Sequence, residues 1–126
     1  MRYLLDSTVL IDHANRDVAA MRLVRGLIEE GHDLYTCDVV TCEVLSKGEP
    51  DDVRHVEILL DALEYVSTTP SAAGWAGASR RSRHAAGGNR ALGDALIAGI
   101  AIDLDAIVVT RNRRDFARQG VRTLEY

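Results

Sequence analysis

Cysteine is nearly absent: the 126 residues hold only Cys37 and Cys42. Their spacing fits neither a CxxC zinc pair nor a disulfide framework, so a reduced cytosolic chain is expected, with both thiols read as small buried hydrophobes. Long apolar runs are also missing. None approaches the ~20 residues that span a bilayer, and residues 1–6 carry no charged n-region or cleavage site. Neither secretion nor a membrane partner is expected, and the expected location is cytoplasmic. There is no GxGxxG, no GKS or GKT loop and no GxSxG elbow, so dinucleotide, P-loop and serine-hydrolase chemistry lack a basis. The four histidines, His13, His32, His55 and His84, show no paired ligand spacing and read as surface residues. Lysine is almost missing too: of 15 basic residues only Lys47 is not arginine.

What is present suffices for one domain over residues 1–126. At 47% hydrophobic the chain can bury a core without disulfides. Its charge is uneven. Residues 1–79 carry 6 Lys+Arg against 14 Asp+Glu, net −8, and residues 80–126 carry 9 against 5, net +4, which together give the overall −4. Guanidinium forks suit bidentate phosphate contacts, so the basic third faces nucleic acid or forms solvated helix faces; composition leaves both open.

Apolar periodicity alternates between strand and helix. Residues 2–6 read as a strand running into a polar turn and a helical first turn at Val9, Leu10 and Ile11. Asp17 caps a helix over 17–30 that Gly31 stops. A strand over 33–37 is followed by a helix over 38–46 with Asp38 as N-cap, and Gly48 ends it. Residues 51–63 are helical, 64–68 a strand, and Pro70 starts another helix. After the loop at Gly87, Gly88 and Asn89 come a strongly apolar helix over 92–104, an apolar strand over 106–110 and an edge strand over 121–126. There is no internal repeat. This alternation predicts an α/β fold with a mostly parallel sheet, helices on both faces and right-handed crossovers.

In such sheets ligands bind beyond the carboxyl ends of the strands. Asp6 ends the first strand, and Asn112 follows the most apolar one, with Asp115 three residues on. Asp94 falls in the first turn of a helix, where an anion is favoured whatever its function. Glu43 shares an apolar helix face with Val39 and Val40, as a site residue or as a salt-bridged core residue. Carboxylates gathered at one edge repel and raise one another's pKa unless a cation neutralises them, and oxygen-only ligands select hard ions, Mg²⁺ or Mn²⁺.

Four segments together resemble the PIN-domain ribonucleases, and within them the VapC-type toxins of toxin–antitoxin pairs. They are Leu4 Leu5 Asp6 Ser7 Thr8 Val9 Leu10 Ile11 Asp12; Glu43 on its helix; Gly93 Asp94 Ala95 Leu96 Ile97 Ala98; and Val108 Val109 Thr110 Arg111 Asn112 with Asp115 Phe116. The resemblance spans essentially the whole chain. It implies a five-stranded parallel sheet, Mg²⁺- or Mn²⁺-dependent cleavage of RNA by in-line water attack, 5′-phosphate and 3′-hydroxyl ends, a homodimer and a cognate antitoxin. By the same resemblance Asp6 and Asp94 are primary metal ligands, Glu43 is a ligand or orients the attacking water, and Thr8 and Thr110 support the Asp6 turn and the last loop. One position departs: many members carry an acid where this chain has Asn112. Asp115 is expected to supply the missing charge through a metal-bound water that Asn112 orients, unless it pairs with Arg111 or Arg118. Arg80, Arg81, Arg83, Arg90, Arg111, Arg113 and Arg114 are the candidate RNA contacts.

Two other readings meet different tests. A response-regulator receiver needs an acidic doublet after the first strand and a late lysine, and this chain has neither. A catalytically silent PIN-like module that only binds a partner protein remains the alternative, and intact acids at three of the four positions count against it.

Overall fold

The most apolar strand segments lie side by side at the centre of the sheet. The computed structural model describes residues 1–126, in which β1 (Arg2–Leu5) pairs with both β2 (Asp33–Cys37) and β4 (Ile107–Val109). Leu4, Leu5, Val108 and Val109 are fully buried, as strands covered on both faces require. β3 (Glu64–Val66) and β5 (Thr123–Leu124) form the edges, giving five parallel strands in the order β3-β2-β1-β4-β5. The chain builds outward from β1 through β2 to β3, then returns to lay β4 and β5 on the other side. The reversal falls between β1 and β4, where the connections that follow them part and leave a crevice.

Seven helices cover the sheet: α1 (Ser7–Ala14), α2 (Val18–Glu29), α3 (Asp38–Leu45), α4 (Pro50–Asp61), α5 (Pro70–Ala85), α6 (Leu92–Leu104) and α7 (Arg113–Ala117). Asp17 caps α2 by accepting from the Ala20 N–H at 2.9 Å. Pro50 and Pro70 occupy first-turn positions, where a missing N–H costs nothing. The expected α/β fold is present, and no helix is long and apolar enough to cross a membrane.

The differences from expectation have local causes. Asp38 is the first residue of α3 and Cys37 its cap. The Asp38 carboxylate instead accepts from the Thr68 N–H at 3.1 Å and the Thr68 hydroxyl at 2.9 Å. That contact draws the chain out of the ladder after Val66, so β3 is shorter than 64–68. β4 begins late because the Ala106 N–H closes the end of α6 onto Ala101 O. β5 shrinks to two residues because the Val121 N–H turns back to Phe116 O and Tyr126 turns to Asp12. Cys37 is buried as expected, but Cys42 is exposed: α3 buries Val40 and Val44, one turn apart, and Cys42 falls on the opposite side. His55 and His84 are exposed, while His13 and His32 are half-buried; the His32 ring packs edge-on against Tyr3 at 5.1 Å.

α5 and α6 cross at a glycine contact. A Cβ at Gly99 would lie 2.5 Å from Ala72 O, closer than backbone permits. Gly99→Ala is therefore expected to force the helices apart and cost about 1–3 kcal/mol, read as a lower urea midpoint in equilibrium unfolding.

Candidate active site

Carboxylate and hydroxyl oxygens gather at the edge where the segments after β1 and β4 part. Asp6 caps α1 directly after β1 and is 2% exposed. A buried carboxylate must be hydrogen-bonded, and this one is. Its Oδ1 accepts from Ser7 N–H at 2.8 Å and the Ser7 hydroxyl at 3.4 Å, and its Oδ2 accepts from the hydroxyls of Thr110 at 2.8 Å and Thr8 at 3.3 Å. Thr110, at the end of β4, also accepts from the Asn112 N–H at 2.9 Å. Burial raises the pKa of Asp6 and these donors work against it.

Glu43 comes from α3 and Asp94 from the first turn of α6. Both carboxyl groups have raised pKa values, from burial first and then from the charge of Asp6; Glu43 also responds to Asp94, and Asp94 to Asp115. Asp6, Glu43 and Asp94 thus share one edge, and each holds its proton more tightly than a free carboxyl group. Glu43 Oε1 is buried without a hydrogen-bond partner. It lies over the α6 backbone, where a Cβ at Gly93 would come within 3.1 Å of it. The residue before Asp94 therefore leaves room for the Glu43 carboxylate.

No three acidic, cysteine or histidine side chains stand at metal-ligand spacing. The acids nevertheless form an oxygen-only set with an orphaned buried acceptor and mutual repulsion, which fits a hard cation that keeps several of its waters. Asp115 and Asn112 are exposed. Asp115 makes no ion pair with Arg111 or Arg118; it lines a cleft of about 200 Å³ together with Asp94, Arg83, Asn89, Arg90, Ala91, Arg118 and Gln119.

The candidate arginines are spread among different tasks. Arg83 and Arg90 line the cleft, and Arg90 also donates to the Ser79 hydroxyl at 2.6 Å. Arg80 donates to Arg90 O at 3.1 Å, and so clips the 86–91 loop to α5. Arg81 and Arg114 are exposed, Arg113 lies 3.8 Å from Glu125, and Arg111 pairs with Asp12 at 2.8 Å. From sequence Arg118 reads only as a candidate ion-pair partner of Asp115 and Gln119 is not singled out, although both lie one helical turn beyond Asp115 and the spacing places them on its face. Gln119 Nε2 donates to Asp115 O at 3.3 Å.

Fold and edge together define a class. The PIN domain family matches residues 3–121, and the chain belongs to that family. It is 30% identical over 115 residues, 90% of each chain, to Ribonuclease VapC19 of Mycobacterium tuberculosis. In three dimensions it is similar to a chain in the VapBC2 structure from Rickettsia felis bound to a DNA fragment from their promoter, with TM-score 0.86 and 21% identity, covering 100% of this chain and 99% of that one. A toxin-antitoxin complex from Klebsiella pneumoniae contains a similar chain, with TM-score 0.75 and 20% identity, covering 91% of this chain and 90% of that one.

The raised carboxyl values have a definite sign. A folded-state pKa above the unfolded one means that the folded protein binds the proton more tightly, so the ionised acids cost stability at neutral pH. That cost is relieved as pH falls through the raised folded values, with no further gain below the unfolded values near 4. In EDTA, Glu43→Gln is expected to melt above the parent at pH 7, with the difference narrowing toward pH 5, as thermal unfolding across that range will show.

Proposed function

We propose that the protein is a metal-dependent ribonuclease that hydrolyses RNA phosphodiesters, and that it serves as the toxin of a toxin–antitoxin pair. The observation that carries this reading is the edge itself: burial raises the proton affinity of Asp6, the charge of Asp6 adds to the rise at Glu43 and Asp94, and Glu43 Oε1 lies buried without a partner. Similarity to a ribonuclease over 90% of the chain supports the activity, and likeness to chains in toxin–antitoxin assemblies is consistent with an antitoxin partner. An interaction module that only binds protein has no need for this repulsion.

Asp6, Glu43 and Asp94 would hold Mg²⁺ or Mn²⁺, with Asp115 adding charge through a water that Asn112 orients. When bound, the ion supplies counter-charge to the phosphate and makes a water acidic enough to deprotonate near neutral pH. Ser7, Thr8 and Thr110 aim Asp6 and offset part of what burial costs its ionised form. Glu43 orients the attacking water through its carboxylate and takes its proton, for which a raised pKa is suited. The water oxygen forms a bond to phosphorus in line with the departing 3′ oxygen, that P–O bond breaks, and the 3′ oxygen gains a proton, leaving a 5′-phosphate and a 3′-hydroxyl. Arg83, Arg90 and Arg118 hold the neighbouring phosphates in the cleft beside Asp94. A homodimer and cytoplasmic location complete the reading.

Purified protein is expected to cleave RNA with Mn²⁺ and to stop in EDTA, and Asp94→Asn should abolish cleavage while leaving thermal stability equal or higher. Mapping of RNA ends checks both, and cleavage that survives EDTA and Asp94→Asn would remove the reading. The cleft generates a separate expectation: replacing Arg83 and Arg118 with Gln should weaken RNA binding and lower the slope of log affinity against log salt by about 1.4, at about 0.7 per lost phosphate contact on single strands. Binding titrations of an Asp94→Asn background at several salt concentrations provide the measurement.

A further inference from the structure

Arg111 does not extend from its loop into solvent. Its Nε lies 2.8 Å from Asp12 Oδ2, its terminal nitrogen lies 3.4 Å from Asp17 Oδ2, and the guanidinium sits 5.6 Å from the centre of the Tyr126 ring. The Tyr126 hydroxyl donates to the same Asp12 oxygen at 2.5 Å. Four parts of the chain meet here: α1 through Asp12, the α2 cap through Asp17, the loop after β4 through Arg111, and the residues after β5 through Tyr126.

The cluster touches no acid of the edge directly, but it continues into the bonds that hold one. The Arg111 N–H donates to Thr8 Oγ1 at 3.2 Å, and the Thr8 hydroxyl donates to Asp6 Oδ2 at 3.3 Å. On the other side of the same peptide, Thr110 donates to that oxygen at 2.8 Å and accepts from the Asn112 N–H at 2.9 Å. The 110–112 loop is therefore tied to Asp6 by two hydroxyls and to Asp12 by one guanidinium. The Asp12 side chain is only 17% exposed, so the pair is screened less than an ordinary surface ion pair. Asp12 Oδ2 takes a charged and a neutral donor at once, and charge-assisted bonds are the stronger kind. Burial and then Asp12 raise the pKa of the Tyr126 hydroxyl, so it remains a donor across the physiological range.

We propose that Tyr126 is a positioning residue: through Asp12 and Arg111 it holds the 110–112 loop so that Thr8 and Thr110 keep Asp6 aimed at a bound cation. The proposal rests on the metal-dependent reading above for its purpose, but not for its geometry. Tyr126→Phe deletes only the hydroxyl and keeps the ring beneath Arg111. Two readouts follow it. The first is amide hydrogen exchange at Arg111 and Asn112 in metal-free protein, expected to be about tenfold faster than in the parent because the loop that holds both N–H groups against the Thr8 and Thr110 hydroxyls opens more often. The second is Mn²⁺ binding followed by water proton relaxation, expected to weaken by ~10-fold, the scale of losing an outer support of a ligand.

Parental exchange at these two amides overturns the proposal, whatever happens to Mn²⁺. Faster exchange with parental Mn²⁺ binding overturns it as well, since the loop would then be held without consequence for Asp6. Should Tyr126→Phe fail to fold, Asp12→Asn, which keeps the shape and removes the charge facing Arg111, is read in the same two assays. RNA cleavage is scored separately. A parent that binds Mn²⁺ but cleaves nothing defeats the nuclease reading and leaves the positioning test intact. A parent that does not bind Mn²⁺ overturns the proposal together with the metal reading, because no cation is then held for Asp6 to face.

Discussion

A carboxylate buried to 2% exposure at the end of the central strand is the constraint from which the rest of this structure follows. An ionised group there is tolerable only if donors reach it from more than one part of the chain. Ser7 and Thr8 come from the turn that starts α1, and Thr110 comes from the end of β4, which must pair with β1 to bring it near. The same pairing places the reversal of strand order, so the crevice and its most deeply set acid have one origin. Glu43 and Asp94 then sit where their charges oppose that of Asp6, a surplus that the protein fold alone does not resolve.

Much of this was legible in sequence because it is written in local pattern. The apolar run over 92–104 defines α6 to the residue, and Asp17 before an amphipathic stripe is a cap whose bond is present. Family motifs place Asp6, Glu43 and Asp94 at strand ends and helix faces. What sequence did not show depends on contacts between distant residues. Nothing near Asp38 indicates that it will meet Thr68, and that contact shortens β3. The Asp12 bond of Tyr126 joins positions 114 residues apart. Cys42 went wrong for a simpler reason: a short helix between two buried valines presents its other side to water.

The basic carboxyl-terminal third shows why a net charge is a coarse guide. Its arginines look alike in composition, yet Arg80 and Arg90 bind a loop to α5, Arg111 is committed to two aspartates, and Arg83 and Arg118 face the cleft. A guanidinium with five donors and a planar fork serves each role, whereas a lysine ammonium offers a compact charge without that shape. The scarcity of lysine thus fits structural needs as well as phosphate recognition, and only geometry separates the two.

The strand order also dictates when the edge can exist. β1 is made first, but its neighbour on one side is β4, and the bond from Thr110 to Asp6 spans 104 residues. Pairings this distant form late, because closing the long loop must precede any gain from the contact. During synthesis the amino-terminal β1-β2-β3 half can begin to assemble while Asp6 lacks its strongest side-chain donor and α6 is still to come. The oxygens of this edge therefore come together in full only when the final strands arrive. For a protein whose proposed activity destroys RNA, that order of assembly separates its birth from its competence.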